Sequence, residues 1–166
     1  LDGDQPRMVI PFRDSNGDIF AYQGRAFGKE KPKYITIILD DSVPKIFGLD
    51  RVDTTSDILV VEGPIDSLFI QNCIAVAQSD LRVPQYKDKA ILVPDNEPRN
   101  REVIKQIEKA IDENYRVVVW PDYVRQKDIN DMILSGLDAV EIMDIISNNT
   151  FQGLSAKVEL QKWKRT

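Results

Sequence analysis

ILVVEGPIDSLFI, residues 58–70, opens with four consecutive apolar residues and then stops on a carboxylate, Glu62, followed by Gly63, Pro64 and Asp66. A short apolar run bounded by turn formers predicts a fully buried strand, here over 57–61. A second run ends in the same way: AILVPDNEPRN, residues 90–100, delivers Asp95 and Glu97 just past Ile91, Leu92 and Val93. A third, RVVVWPDYVRQKDINDMI, residues 116–133, carries Asp122 two residues past Trp120, with Asp128 and Asp131 at the start of a helical pattern.

Outward from these runs, short apolar stretches alternate with helical periods, the mark of an α/β fold with a parallel sheet flanked by helices. Strands are expected at 57–61, 74–77, 89–93 and 116–120. Helices are expected near 64–72 and 99–114, and over 128–148 with an interruption at Gly136. The helix at 99–114 places Val103, Ile104, Ile107 and Ile111 on one face against Arg101, Lys105, Glu108, Lys109 and Asp112, and Asn114 can cap its end.

The first part of the chain reads differently. MVIPFRDSNGDIFAYQGRAF, residues 8–27, predicts a hairpin closed by a type I′ turn at Asn16-Gly17, and a third β-rich segment covers 34–39. A small antiparallel β module over 1–55 should therefore precede the α/β domain over 56–150. A basic tail, 151–166, follows with Lys162, Lys164 and Arg165 around Trp163.

Composition narrows the chemistry. The 166 residues are 42% hydrophobic, enough for a core, and carry a net charge of −5, which argues mildly against a nucleic-acid-binding protein. One cysteine, Cys73, and no histidine exclude a disulfide framework and every Cys/His zinc motif, so only oxygen ligands remain for a metal. Such a site suits Mg²⁺ or Mn²⁺. No signal-peptide pattern is present and no apolar run is long enough to span a bilayer, so the expectation is a cytosolic protein with no membrane partner. The chain begins at Leu1 rather than Met, as a piece of a longer protein would.

In an open parallel sheet, ligands bind at the carboxyl ends of the strands. If the strands at 57–61 and 89–93 are neighbours, Glu62, Asp95 and Glu97 converge, and acids so crowded raise one another's pKa unless a cation neutralises them. Gly63 would leave room for a phosphate or for the ion's water shell. Plainer readings stand beside these. Asp66 would favour the dipole of its helix, Asp128 would be an N-cap and Asp131 a first-turn acid. Glu62 has no such alternative, because no cap or helix requires a glutamate at the end of a buried strand.

VVEGPID, PDNE and KDIND, each after a strand, resemble the three motifs of the Toprim domain of bacterial-type primases, topoisomerases and related nucleases. IPFRDSNGDIFAYQGRAF followed by PKY is similar to the segment that directly precedes Toprim in primase cores, and the Asn-Glu wording of the second motif is similar to the primases of T-even-like tailed phages. The resemblance implies metal ligation by Glu62, Asp66, Asp95, Glu97 and Asp128, with Glu62, Asp95 and Glu97 catalytic. It also implies that Arg25, Lys33 and Tyr34 hold template or nucleotide phosphates, with Arg13 a weaker match. Glu97 stands where most members have aspartate, and Asn130 where many have another acid.

The activity so implied is synthesis of short RNA primers from ribonucleoside triphosphates on a single-stranded DNA template, with Mg²⁺ or Mn²⁺ as cofactor and a replicative helicase as partner in the cytoplasm of a phage-infected bacterium. The zinc-binding part of a full primase has no ligands here. Two other readings share the motifs: a metal-dependent nuclease or strand-breaking enzyme, and a non-catalytic module that binds a helicase or single strands.

Overall fold

The computed structural model describes residues 6–29 and 31–165. It divides into two units, Leu1–Arg51 and Val52–Thr166.

The first unit is an antiparallel sheet of β1 (Arg7–Arg13), β2 (Ile19–Ala26) and β3 (Tyr34–Ile38), in that order. The hairpin between β1 and β2 forms, but not through a type I′ turn. Gly17 takes a positive φ of 89°, whereas Asn16 is not among the residues that do. Instead, Asp14 Oδ1 accepts the Asn16 and Asp18 N–H groups at 2.8 and 3.0 Å, and the pairing slips by a residue between Phe12 and Arg13. The Asp14 carbonyl closes the turn by accepting the Gly17 N–H at 3.0 Å, the Asp14 carboxylate braces it, and the extra residue is absorbed as a bulge. Phe12 forms the core of this unit, edge-on to Phe20 and Phe47 at 6.1 and 5.4 Å.

The second unit contains β4 (Ile58–Val61), β5 (Cys73–Ala75), β6 (Ala90–Leu92), α1 (Arg101–Asp112), β7 (Arg116–Val118), α2 (Ile129–Leu134), α3 (Ala139–Asn148), β8 (Thr150–Phe151) and α4 (Gly153–Trp163). The sheet order is β5-β4-β6-β7-β8, with the first four strands parallel and β8 antiparallel to β7 at the edge. β4 lies between β5 and β6 and all four of its residues are buried, which is why its apolar run is unbroken. At the opposite end of the sheet, Arg116 grips Asp57 with two hydrogen bonds of 2.7 and 2.8 Å.

The helix expected near 64–72 is a single 3-10 turn, Asp66–Leu68. The connection from β4 to β5 is too short for several helical turns, and its polar groups bond locally: the Ser67 hydroxyl donates to the Pro64 carbonyl at 2.7 Å. α1 follows its predicted face, burying Val103, Ile107 and Ile111 together with Ala110. Asn100 caps its start, and Asn114 ends it in the left-handed conformation at φ 62°. Gly136, at φ 103°, separates α2 from α3 where the interruption was expected.

The segment 151–166, expected as a basic tail, supplies part of β8 and all of α4. α4 buries Ala156, Leu160 and Trp163 and contacts α1 and β7. Its lysines pair with acids, Lys157 with Asp112 and Lys162 with Glu159, and Lys164 just past its end pairs with Glu108. One small residue among three buried positions leaves too faint an apolar stripe to announce a core helix. Among the described residues, no helix is long and apolar enough to cross a membrane.

α3 starts on a capping box in which Asp138 Oδ1 accepts the Glu141 N–H and Glu141 Oε2 accepts the Asp138 N–H, both at 2.9 Å. Asp138→Ala should lower stability by about 1 kcal/mol, read as a reduced urea midpoint with an unchanged slope.

Candidate functional site

Three adjacent parallel strands release their chains at the same edge of the sheet. β4 runs into Glu62, β6 runs through Val93 and Pro94 into Asp95, and the chain beyond β7 returns to Asp128 at the head of α2. The Trp120 indole N–H donates to the Pro94 carbonyl at 2.7 Å, fixing the backbone just before Asp95.

The acids feel one another. Burial, together with the charges of Asp95, Glu97 and Asp66, pushes the Glu62 carboxyl up to about 7 against the pull of Lys127. Burial also raises Asp95 to about 6; Lys127 opposes the rise, while Asp128 and Asp66 add to it. Two acids with weakened acidity, set beside three more, form a site that favours added positive charge.

Lys127 supplies some of that charge. Its ammonium lies 3.4 Å from Asp95 Oδ2 and 3.5 Å from Glu97 Oε1. Burial alone would lower its pKa, but Asp95 and Glu97 outweigh burial and raise it. The sequence reading gave this residue no role, although it immediately precedes Asp128 in KDIND.

Asp66 does not serve a helix dipole. Its Oδ1 accepts the Asn130 N–H at 2.9 Å, tying the first motif to the first turn of α2. A Cβ on Gly63 would run into Asp66 Oδ2, so the glycine makes room for the motif's own aspartate. Asp128 does cap α2, accepting the Asp131 N–H at 2.8 Å, and Asp131 is a first-turn acid. Asp122 lies apart, exposed in a surface depression with Glu159, Lys162 and Trp163.

Among the described residues, no three acids form a ready-made cation cage. The donor set is nevertheless all oxygen, since Cys73 is buried within β5.

In the first unit, Arg25 on β2 pairs in register with Tyr34 on β3. The Arg25 guanidinium and the Lys33 ammonium lie 5.7 and 5.6 Å from the Tyr34 ring centroid, so two cations share one aromatic ring. Arg13 donates to the Gly17 carbonyl of the hairpin turn at 2.7 Å.

The fold is that of primase catalytic cores. It matches a DNA primase domain from Pseudomonas aeruginosa with a TM-score of 0.69 at 22% identity, over 95% of this chain and 55% of that one. It matches the catalytic domain of DnaG primase bound to single-stranded DNA with a TM-score of 0.68 at 19% identity, over 95% and 55%. No family profile matches the chain. By sequence the chain is a relative of the DNA primases: it is 45% identical over 166 residues to that of Enterobacteria phage T4, covering 97% of this chain and 48% of that protein. It thus spans about half the length of this relative.

Glu62 holds a proton more tightly when folded, at about 7, than at its ordinary value of 4.5. Without a divalent ion, this group's contribution to stability is full below its ordinary value and is lost as the pH rises through about 7; Asp95 acts in the same sense. In the presence of a chelator the melting temperature should fall between about pH 5 and pH 8. Glu62→Gln should flatten that slope.

Proposed function

We propose that this chain carries the acidic half of a primase active centre, which joins ribonucleotides on a single-stranded DNA template. The carrying observation is the gathering of Glu62, Asp95 and Glu97, with Asp66 and Asp128, at the tips of adjacent strands, in a chain related over nearly its whole length to a DNA primase.

The donor set fits Mg²⁺ or Mn²⁺, hard ions that take carboxylate oxygens. Glu62, Asp95 and Glu97 would hold the ion, with Asp66 and Asp128 flanking. Bound there, it supplies positive charge to the reacting phosphate and departing pyrophosphate and makes the attacking 3′-hydroxyl more acidic.

The chain's own residues prepare that site. Lys127 favours the charged form of Asp95 and bridges it to Glu97. Asp66 holds the start of α2, and with it Asp128, against the first motif. Arg25 and Lys33, gathered on Tyr34, offer fixed positive charge to triphosphate or template phosphates.

Single-stranded DNA as the template is supported by the structural neighbour bound to it. Ribonucleoside triphosphates as substrates and a replicative helicase as partner follow from the kinship with primases. With a net charge of −5, this piece alone should bind DNA weakly.

The test is ribonucleotide incorporation on a single-stranded template with Mn²⁺ or Mg²⁺. Wild type should extend a primer, and Glu62→Gln should lower the rate on the order of a hundredfold or more. Strand scission by the wild type, or unchanged incorporation by the variant, would overturn the proposal.

A further inference from the structure

Asn96 stands between the two acids of the second motif, and its side chain faces away from both, toward other segments. Its Nδ2 donates to the Val124 carbonyl at 2.9 Å and the Gln126 carbonyl at 3.1 Å, while its Oδ1 accepts the Trp163 indole N–H at 2.9 Å. The Asn96 backbone N–H donates to the Lys127 carbonyl at 2.6 Å. One residue thus joins the loop carrying Asp95 and Glu97, the loop carrying Lys127 and Asp128, and the last turn of α4.

The network admits one orientation of the amide. An indole can only donate and a carbonyl can only accept, so Oδ1 must face Trp163 and Nδ2 the two carbonyls. Trp163 is buried, and it is the N–H, not the bulk of the ring, that holds Asn96 in this orientation. With Trp120 fastened to the Pro94 carbonyl, Asp95 is held from both sides by tryptophans that bond its neighbours rather than the acid itself.

We infer that Asn96 and Trp163 are positioning residues of the acid site: Asn96 sets the spacing between Asp95–Glu97 and Lys127–Asp128 through its own bonds to the second loop, and α4, which carries no ligand, fixes the orientation of its amide through the indole N–H. The inference rests on the reading of these acids as a metal site. It makes α4 part of the active centre's framework.

Trp163→Phe removes the donor and leaves a smaller ring in a buried position. Hydrogen–deuterium exchange should then rise about tenfold in residues 95–97 and 124–127 together, the loss expected when one buried hydrogen bond is broken. Mn²⁺ binding, read by electron paramagnetic resonance, should weaken about three- to tenfold, and the melting temperature should fall by a few degrees because a buried ring is made smaller. Lys162→Ala, exposed and one residue away, should alter neither. Asn96→Ala, which leaves the indole in place, should loosen the same two loops and decides the matter if Trp163→Phe does not fold. Unchanged exchange in either loop overturns the inference, as does unchanged Mn²⁺ affinity where the wild type binds the ion. A wild type that binds no Mn²⁺ would instead defeat the metal reading, and raised exchange would still stand for the positioning role.

Discussion

The structure depends on one electrostatic constraint: several carboxylates delivered to one edge of a sheet must be neutralised or give up acidity. Burial and mutual repulsion weaken Glu62 and Asp95 as acids, and Lys127 relieves Asp95 from within salt-bridge distance. An arrangement that lowers folding stability near neutral pH is hard to explain as packing, since apolar residues at these strand tips would avoid the penalty. The protein keeps the acids, and the penalty is one that a divalent ion would remove.

Local details follow from holding those acids in place. Gly63 is small because the Asp66 carboxylate lies over it, and Asp66 in turn bonds the backbone at the head of α2. The position four residues beyond Glu62 therefore works as a brace between motifs as well as a carboxylate near the site. Asp128 has a comparable double character, capping α2 while adding negative charge beside Asp95. A plain structural role and a functional one are not exclusive for either residue.

The kinship with primases gives this arrangement its meaning without replacing its chemistry. Similarity near 20% identity speaks to the fold, whereas 45% identity along nearly the whole chain relates its sequence to about half of a DNA primase. The Arg25, Lys33 and Tyr34 cluster belongs to the other unit, where one aromatic ring gathers two cations.

By itself the sequence determined the α/β class, the strand runs at β4, β6 and β7, the helix α1, the break at Gly136 and the acids at the strand tips, because each is written in local periodicity or in one residue type at a strand end. It could not show that residues 64–72 form only a 3-10 turn, since the length a connection must cover is known only once β5 lies beside β4. Nor could it show that Asp14 shapes the hairpin turn, that Lys127 neutralises the acid pair, or that Trp163 reaches Asn96. Those contacts join residues distant in the chain or depend on the direction of a single side chain, and only packing in three dimensions decides them.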